Sequence, residues 1–143
     1  MRIIRMVLTV FCVLVLLGTV AFLLLRWGGI PDQVPMHFNF KGEADGYGSK
    51  TALFLMPAIN AVVIVSMCFA KTIRIRTLRR ARRIPAPPLL LPLISLPLTL
   101  GISYMTVCIA LARPLGAWFM PVFLATTILP IAAFSVYLMK KYP

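Results

Sequence analysis

Acidic residues are scarce. The 143-residue chain holds three, Asp32, Glu43 and Asp45, against fifteen lysines and arginines, for a net charge of +12. It has a single histidine, His37, and three cysteines, Cys12, Cys68 and Cys108. Zinc sites gather about three or four N, S or O ligands at defined spacings, and no CxxC pair or Cys/His cluster is present. Neither a metal nor another cofactor is expected. The cysteines all fall in apolar runs and read as apolar filler. His37, Ser49 and Asp45 supply the residue types of a triad, but nothing in their spacing makes nucleophile and base converge. The chain is therefore expected not to be an enzyme.

Apolar residues are abundant instead. They make up 61% of the chain, and charged residues only 13%. Soluble proteins are about 45–50% apolar and about 25% charged, so a soluble domain this small is excluded and an integral membrane protein is expected. A bilayer core is about 30 Å thick and needs about 20 apolar residues per crossing. Four windows qualify, at residues 7–25, 51–70, 88–112 and 115–139. The expected fold is an all-α membrane protein, a single domain over residues 1–143 with four transmembrane helices. The first run continues through Leu25, longer than the apolar core of a signal peptide, and reads as an uncleaved helix. Only Arg113-Pro114 separates the last two windows, which makes them an antiparallel pair. Pro92 and Pro97 interrupt the third window, and Pro121 and Pro130 the fourth.

Charge orients the chain. Arg2, Arg5, the seven bases Lys71, Arg74, Arg76, Arg79, Arg80, Arg82 and Arg83, and Lys140 with Lys141 fall on one side, without an acid. Arg26, Lys41, Lys50 and Arg113 share the other side with all three acids. Both termini and the basic loop 71–87 are expected in the cytoplasm, and the loop 26–50 outside. The basic patch suits anionic lipid headgroups, each base near the surface contributing about 1 kcal/mol. It also suits an acidic cytoplasmic or membrane protein partner. Nucleic acid is not expected, because no aromatic stacking platform accompanies the charge.

Inside the spans, Ser95, Thr99, Ser103 and Thr106 recur at spacings of four, four and three. They form one small polar stripe, which reads as close helix packing with hydroxyls bonded to backbone, or else as the lining of a polar path. Asn60 is the amide within a span, expected to make an interhelical hydrogen bond or to belong to a site.

The segment IPDQVPMHFNFKGEADGYGSK, residues 30–50, carries the varied chemistry. Met36, Phe38 and Phe40 alternate with His37, Asn39 and Lys41, the period of a short strand. Pro31 and Pro35 keep the start extended. Gly42, Asp45-Gly46 and Gly48 supply turn positions. A short loop or hairpin against the membrane surface is expected, with Trp27, Phe38, Phe40 and Tyr47 as interfacial anchors and Ser49 as a helix N-cap. His37 and Asn39 are expected to bond the turn carbonyls and the Asp45 carboxylate. Alternatives for His37 are ligand or partner recognition, or a weak metal site.

The pattern V-P-x-H-F-N-x-x-G-x-A-D-x-Y-G-S-K between two spans resembles a bacterial membrane domain-of-unknown-function family. That family is best known at the N-terminus of SdpI-like proteins, which confer immunity to a secreted killing factor. The matching residues are Pro31, Pro35, His37, Asn39, Gly42, Asp45, Gly46, Gly48 and Lys50, in a resemblance covering about a third of the chain. It implies a non-enzymatic protein of the bacterial cytoplasmic membrane, with an immunity- or signalling-like role. The loop would recognise an envelope component or peptide toxin, and the basic loop would hold a partner. The alternatives are a small oligomeric transporter or channel, or an accessory subunit of a membrane complex. Proton-coupled export of the four-helix multidrug type relies on a carboxylate within a span, and here no span has one.

Overall fold

The computed structural model describes residues 2–39, 41–77 and 90–141, with side chains over 3–39, 41–66 and 93–136. Four α-helices lie among the described residues: α1 (Arg2–Arg26), α2 (Leu55–Thr77), α3 (Leu90–Ala110) and α4 (Phe119–Lys141). A two-stranded hairpin, β1 (Gln33–Phe38) and β2 (Ala44–Ser49), lies between α1 and α2. Short 3₁₀ turns, Trp27–Gly29 and Lys50–Phe54, join it to the two helices. The all-α expectation thus holds for the bundle, and the segment between its first two helices forms a true β-hairpin.

Three stretches among the described residues are long and apolar enough to cross a membrane: Ile3–Gly29, Leu93–Ala110 and Phe119–Val136. The chain is a membrane protein. A shorter apolar helical stretch, Lys50–Ser66, opens α2. Outward-facing leucines, isoleucines and valines run along α1 and α4, among them Val10, Leu14, Leu17, Val122, Leu129 and Val136. Such surface is tolerated where lipid replaces water.

α3 is the central helix and packs against each of the other three. Its polar stripe faces inward: Ser95, Thr99, Ser103 and Thr106 are all buried. Thr106 bonds back to the Ile102 carbonyl at 2.7 Å, which satisfies a hydroxyl without an interhelical partner. Asn60 of α2 reaches the stripe, its Nδ2 donating to the Thr99 carbonyl at 3.4 Å and to Ser103 Oγ at 3.3 Å. On the α4 side, Gly101 leaves room for the Phe123 ring to lie directly on the α3 backbone, where any Cβ would collide with it. The rings of Tyr104, Phe119 and Phe123 continue that seam, with centroids 4.9 and 5.5 Å apart.

The link between α3 and α4 runs from Leu111 to Trp118, longer than the two residues the apolar windows suggest. The physical reason is a C-cap. Ala112 adopts φ 51°, Arg113 N–H bonds the Cys108 carbonyl and Ala112 N–H the Ile109 carbonyl, both at 2.9 Å. This paired 6→1 and 5→2 arrangement is the Schellman motif, which ends a helix. Leu115 then turns inward, 2% exposed, so an apolar residue that reads as helix belongs to the link. Pro121 is the third residue of α4, and Pro130 alone is internal to that helix. A proline in the first turn lacks a donor that has no intrahelical partner anyway, so Pro121 does not interrupt the span. In α3, Pro92 likewise falls in the first turn and Pro97 is internal.

Cys12 and Cys108 are buried free thiols. The side chain of Cys68 lies outside the described residues.

Candidate functional site

The hairpin is antiparallel, pairing Gln33 with Ser49, Val34 with Gly48, Pro35 with Tyr47, His37 with Gly46 and Phe38 with Ala44. The register skips at Met36 on β1 and at Asp45 on β2. Each skip is a bulge, an extra residue that bends a strand and re-aims a side chain. The second bulge compensates the first, so both ends of the hairpin keep one register.

Asn39 organises the turn. Its Oδ1 accepts from the backbone N–H of Lys41 at 2.9 Å and of Glu43 at 3.1 Å. Its Nδ2 donates to Glu43 Oε2 at 2.9 Å, and its own N–H bonds the Glu43 carbonyl at 2.9 Å. A short amide side chain can mimic a backbone turn in this way, so Asn39 contributes by shaping the loop. The neighbouring Phe40 lies outside the described residues.

The glycines of the motif each have a steric reason. Gly42 has φ +80°, and a Cβ there would collide with the Leu115 carbonyl. At Gly46 a Cβ would meet His37 Cβ at 3.0 Å, and at Gly48 it would meet Met36 Cγ at 2.8 Å. Pro35 is buried and Pro31 exposed.

At the base of the hairpin, Lys50 Nζ sits 2.7 Å from Asp32 Oδ1. It also lies over the Trp27 ring, 5.5 Å from the centroid, and its N–H bonds the Asp32 carbonyl at 3.0 Å. The hydrogen bond from Lys50, and then its charge, hold the Asp32 carboxyl below its ordinary value. Trp27 in turn packs on Phe54, ring centroids 5.0 Å apart. Ser49 caps the 3₁₀ turn that leads into α2, Oγ accepting from Thr51 N–H.

One face of the hairpin is buried. Val34 joins Leu23 and Ile30 from the α1 side, Leu53, and Ile109 and Ala110 of α3 in one buried cluster, with Met36, Phe38, Phe22 and Trp27 packed around it. Burying one such aliphatic side chain from water contributes about 1.5–3 kcal/mol. Phe38 and Trp27 therefore serve as packing groups. Tyr47, by contrast, is largely exposed, as is Trp118 at the end of the α3–α4 link. Trp118 has the character of an interfacial anchor that apolar-window reading overlooks, because it falls inside an apolar run.

The opposite face carries Gln33, His37, Asp45, Tyr47 and Ser49, all exposed. His37 Nδ1 lies 2.6 Å from Asp45 Oδ1. The β2 bulge leaves Asp45 without a strand partner, and its carboxylate meets the ring from across the hairpin. The outer oxygens and ring nitrogen stand ready to hydrogen-bond a ligand. No group of three metal-ligating side chains is assembled among the described residues, and Ser49 Oγ lies 2.9 Å from Thr51 Oγ1. The structure thus gathers Pro35, His37, Asn39, Gly42, Asp45, Gly46, Gly48 and Lys50 into one hairpin, with Pro31 at its edge.

Of the basic patch, Lys71, Arg74 and Arg76 lie on the last turns of α2 with side chains outside the described residues, and Arg79, Arg80, Arg82 and Arg83 lie outside them altogether. Elsewhere an apolar groove of about 700 Å³ runs between α1, α3 and α4 past Leu8, Leu96, Pro97 and Leu129. The described residues that line it include no ionisable side chain.

Residues 14–61, from mid-α1 through the hairpin into the first turns of α2, match the family of a domain of unknown function, DUF1648. No match is found among curated proteins or among solved structures.

Proposed function

We propose that this chain is a four-pass, non-enzymatic protein of a bacterial cytoplasmic membrane. Both termini are cytoplasmic, and the outer hairpin recognises an envelope component or a peptide toxin in an immunity- or signalling-like role. The observation that carries the reading is the hairpin's two-sidedness. Its apolar face is spent on the bundle, while His37, Asp45, Gln33, Tyr47 and Ser49 remain available to a ligand. Exposed, varied polar groups on a rigidly supported loop suit recognition better than packing.

The orientation rests on charge and connectivity together. The hairpin touches the α3–α4 link through Gly42 and Leu115, so the two lie at one end of the bundle. That end carries all three acids, and the positive-inside rule assigns the acid-free basic segments to the cytoplasmic side. α2 supplies the fourth crossing, its apolar start continuing as helix to Thr77. The basic segment from Lys71 to Arg83 then contacts anionic lipid and a cytoplasmic or membrane partner, not nucleic acid.

A strain lacking the gene, challenged with secreted killing peptides, tests the reading. Complementation by the intact chain should restore survival. The double variant His37→Ala and Asp45→Ala should fail to restore it while accumulating normally, since both side chains are exposed. Full complementation by the double variant sinks the site.

A further inference from the structure

α1 and α4 both pack on α3, which floors the groove left between them. Ile4 and Leu8 of α1, Leu93 and Pro97 of α3, and Leu129 and Pro130 of α4 line it. Its volume of about 700 Å³ falls within the range of about 300–1,000 Å³ that ligand clefts span. Thr126 is the polar residue of the described lining, and its hydroxyl is already bonded to the Val122 carbonyl at 2.8 Å. The groove therefore offers an occupant apolar contact and no side-chain hydrogen bond. All these residues belong to the three membrane-crossing stretches, so the groove meets acyl chains and not water.

A charge stands at its end. The groove uses the first turns of α1 and the first half of α3, the half of the bundle remote from the hairpin. Arg5 precedes Leu8 by three residues and the buried Cys12 by seven, which places it on the face that α1 turns inward. It is half-buried, whereas Ile3, Ile4, Met6 and Val7 around it are exposed. Among the described residues it has no ion-pair partner. Asp32, Glu43 and Asp45 all follow the far end of α1, about 30 Å along the helix from Arg5. A half-buried guanidinium at a membrane surface is costly without an anion, and its planar fork matches a phosphate. Arg2 opens α1 and Lys140 and Lys141 close α4, so a second copy in the same membrane orientation would bring bases to bases.

We propose that the groove binds one anionic glycerophospholipid, with an acyl chain lying on α3 between α1 and α4 and the phosphate on Arg5. The site uses neither the hairpin nor the basic segment from Lys71 to Arg83.

The full chain in phosphatidylcholine nanodiscs tests this, with sub-saturating phosphatidylglycerol or phosphatidylcholine carrying a photoactivatable acyl chain. Adducts should concentrate on Leu8, Leu96 and Leu129, and more with phosphatidylglycerol. Arg5→Gln should lower phosphatidylglycerol labelling there about fivefold, while Arg79→Gln, an equal loss of charge in the basic segment, should not. Ala125→Phe fills the groove from an exposed position and should abolish labelling there by both lipids. Labelling spread evenly over the outward faces at Val10, Leu17 and Val136 indicates bulk lipid only and overturns the proposal. So do equal labelling by the two lipids and equal losses in the two charge variants. An unlabelled groove in a dimeric chain assigns it to a second copy and overturns the proposal as well.

Discussion

Gly42 and Leu115 hold each other through their backbones. The Leu115 N–H donates to the Gly42 carbonyl at 3.0 Å, and the Leu115 carbonyl occupies the space where a Gly42 side chain would begin. The tip of the hairpin is thereby fastened to the α3–α4 link, 73 residues on in sequence.

Gly42→Ala faces two costs at once, a left-handed backbone and a collision with backbone that cannot rotate away. Destabilisation of about 1–3 kcal/mol is expected. Thermal unfolding in detergent, with limited proteolysis of the hairpin, measures it. Unchanged Tm and unchanged protease resistance would show that tip and link are not fastened.

How far this arrangement could be read from residues alone depends on its range. The polar stripe of α3 was legible because its spacing of four, four and three maps onto one helix face, and all four residues are buried. The hairpin was legible in its alternation and turn residues. One feature was legible in kind but not in partner, and another was not legible. Asn39 is expected to bond the turn carbonyls, and its side chain does build the turn, but by accepting from the Lys41 and Glu43 N–H groups and donating to the Glu43 carboxylate. Leu115 reads as helix because it is apolar. Its burial depends on Gly42 and on the cap at Ala112, and no periodicity records a contact of that range.

Ala112 invites the opposite substitution. It closes α3 in a left-handed conformation, φ 51°, at the position where glycine is favoured. Ala112→Gly is expected to stabilise the chain by about 0.5–1 kcal/mol, the relief of the left-handed Cβ exceeding the added flexibility of the unfolded chain. A lower Tm in this variant would contradict the cap.

The base of the hairpin should respond to acid. Asp32 is held below its ordinary value of 3.8 by Lys50. Its contribution is therefore present above that value and is lost as pH falls through the lower, folded-state value. With Trp118→Phe as background, Trp27 becomes the sole tryptophan and reports the change. Its emission should shift on acidification below about pH 4. Lys50→Met should begin with altered emission and show no acid step. The same acid step in both proteins would remove Lys50 from the account.

The central claim, an outward-facing hairpin whose polar face is free for recognition, is tested most directly by thiol labelling in intact cells. Cys12, Cys68 and Cys108 are replaced by alanine, and Tyr47→Cys is introduced on the exposed face. A membrane-impermeant maleimide should label the variant in intact cells as fully as after lysis. Labelling that appears only after lysis would place the hairpin in the cytoplasm and contradict both the orientation and the proposed function.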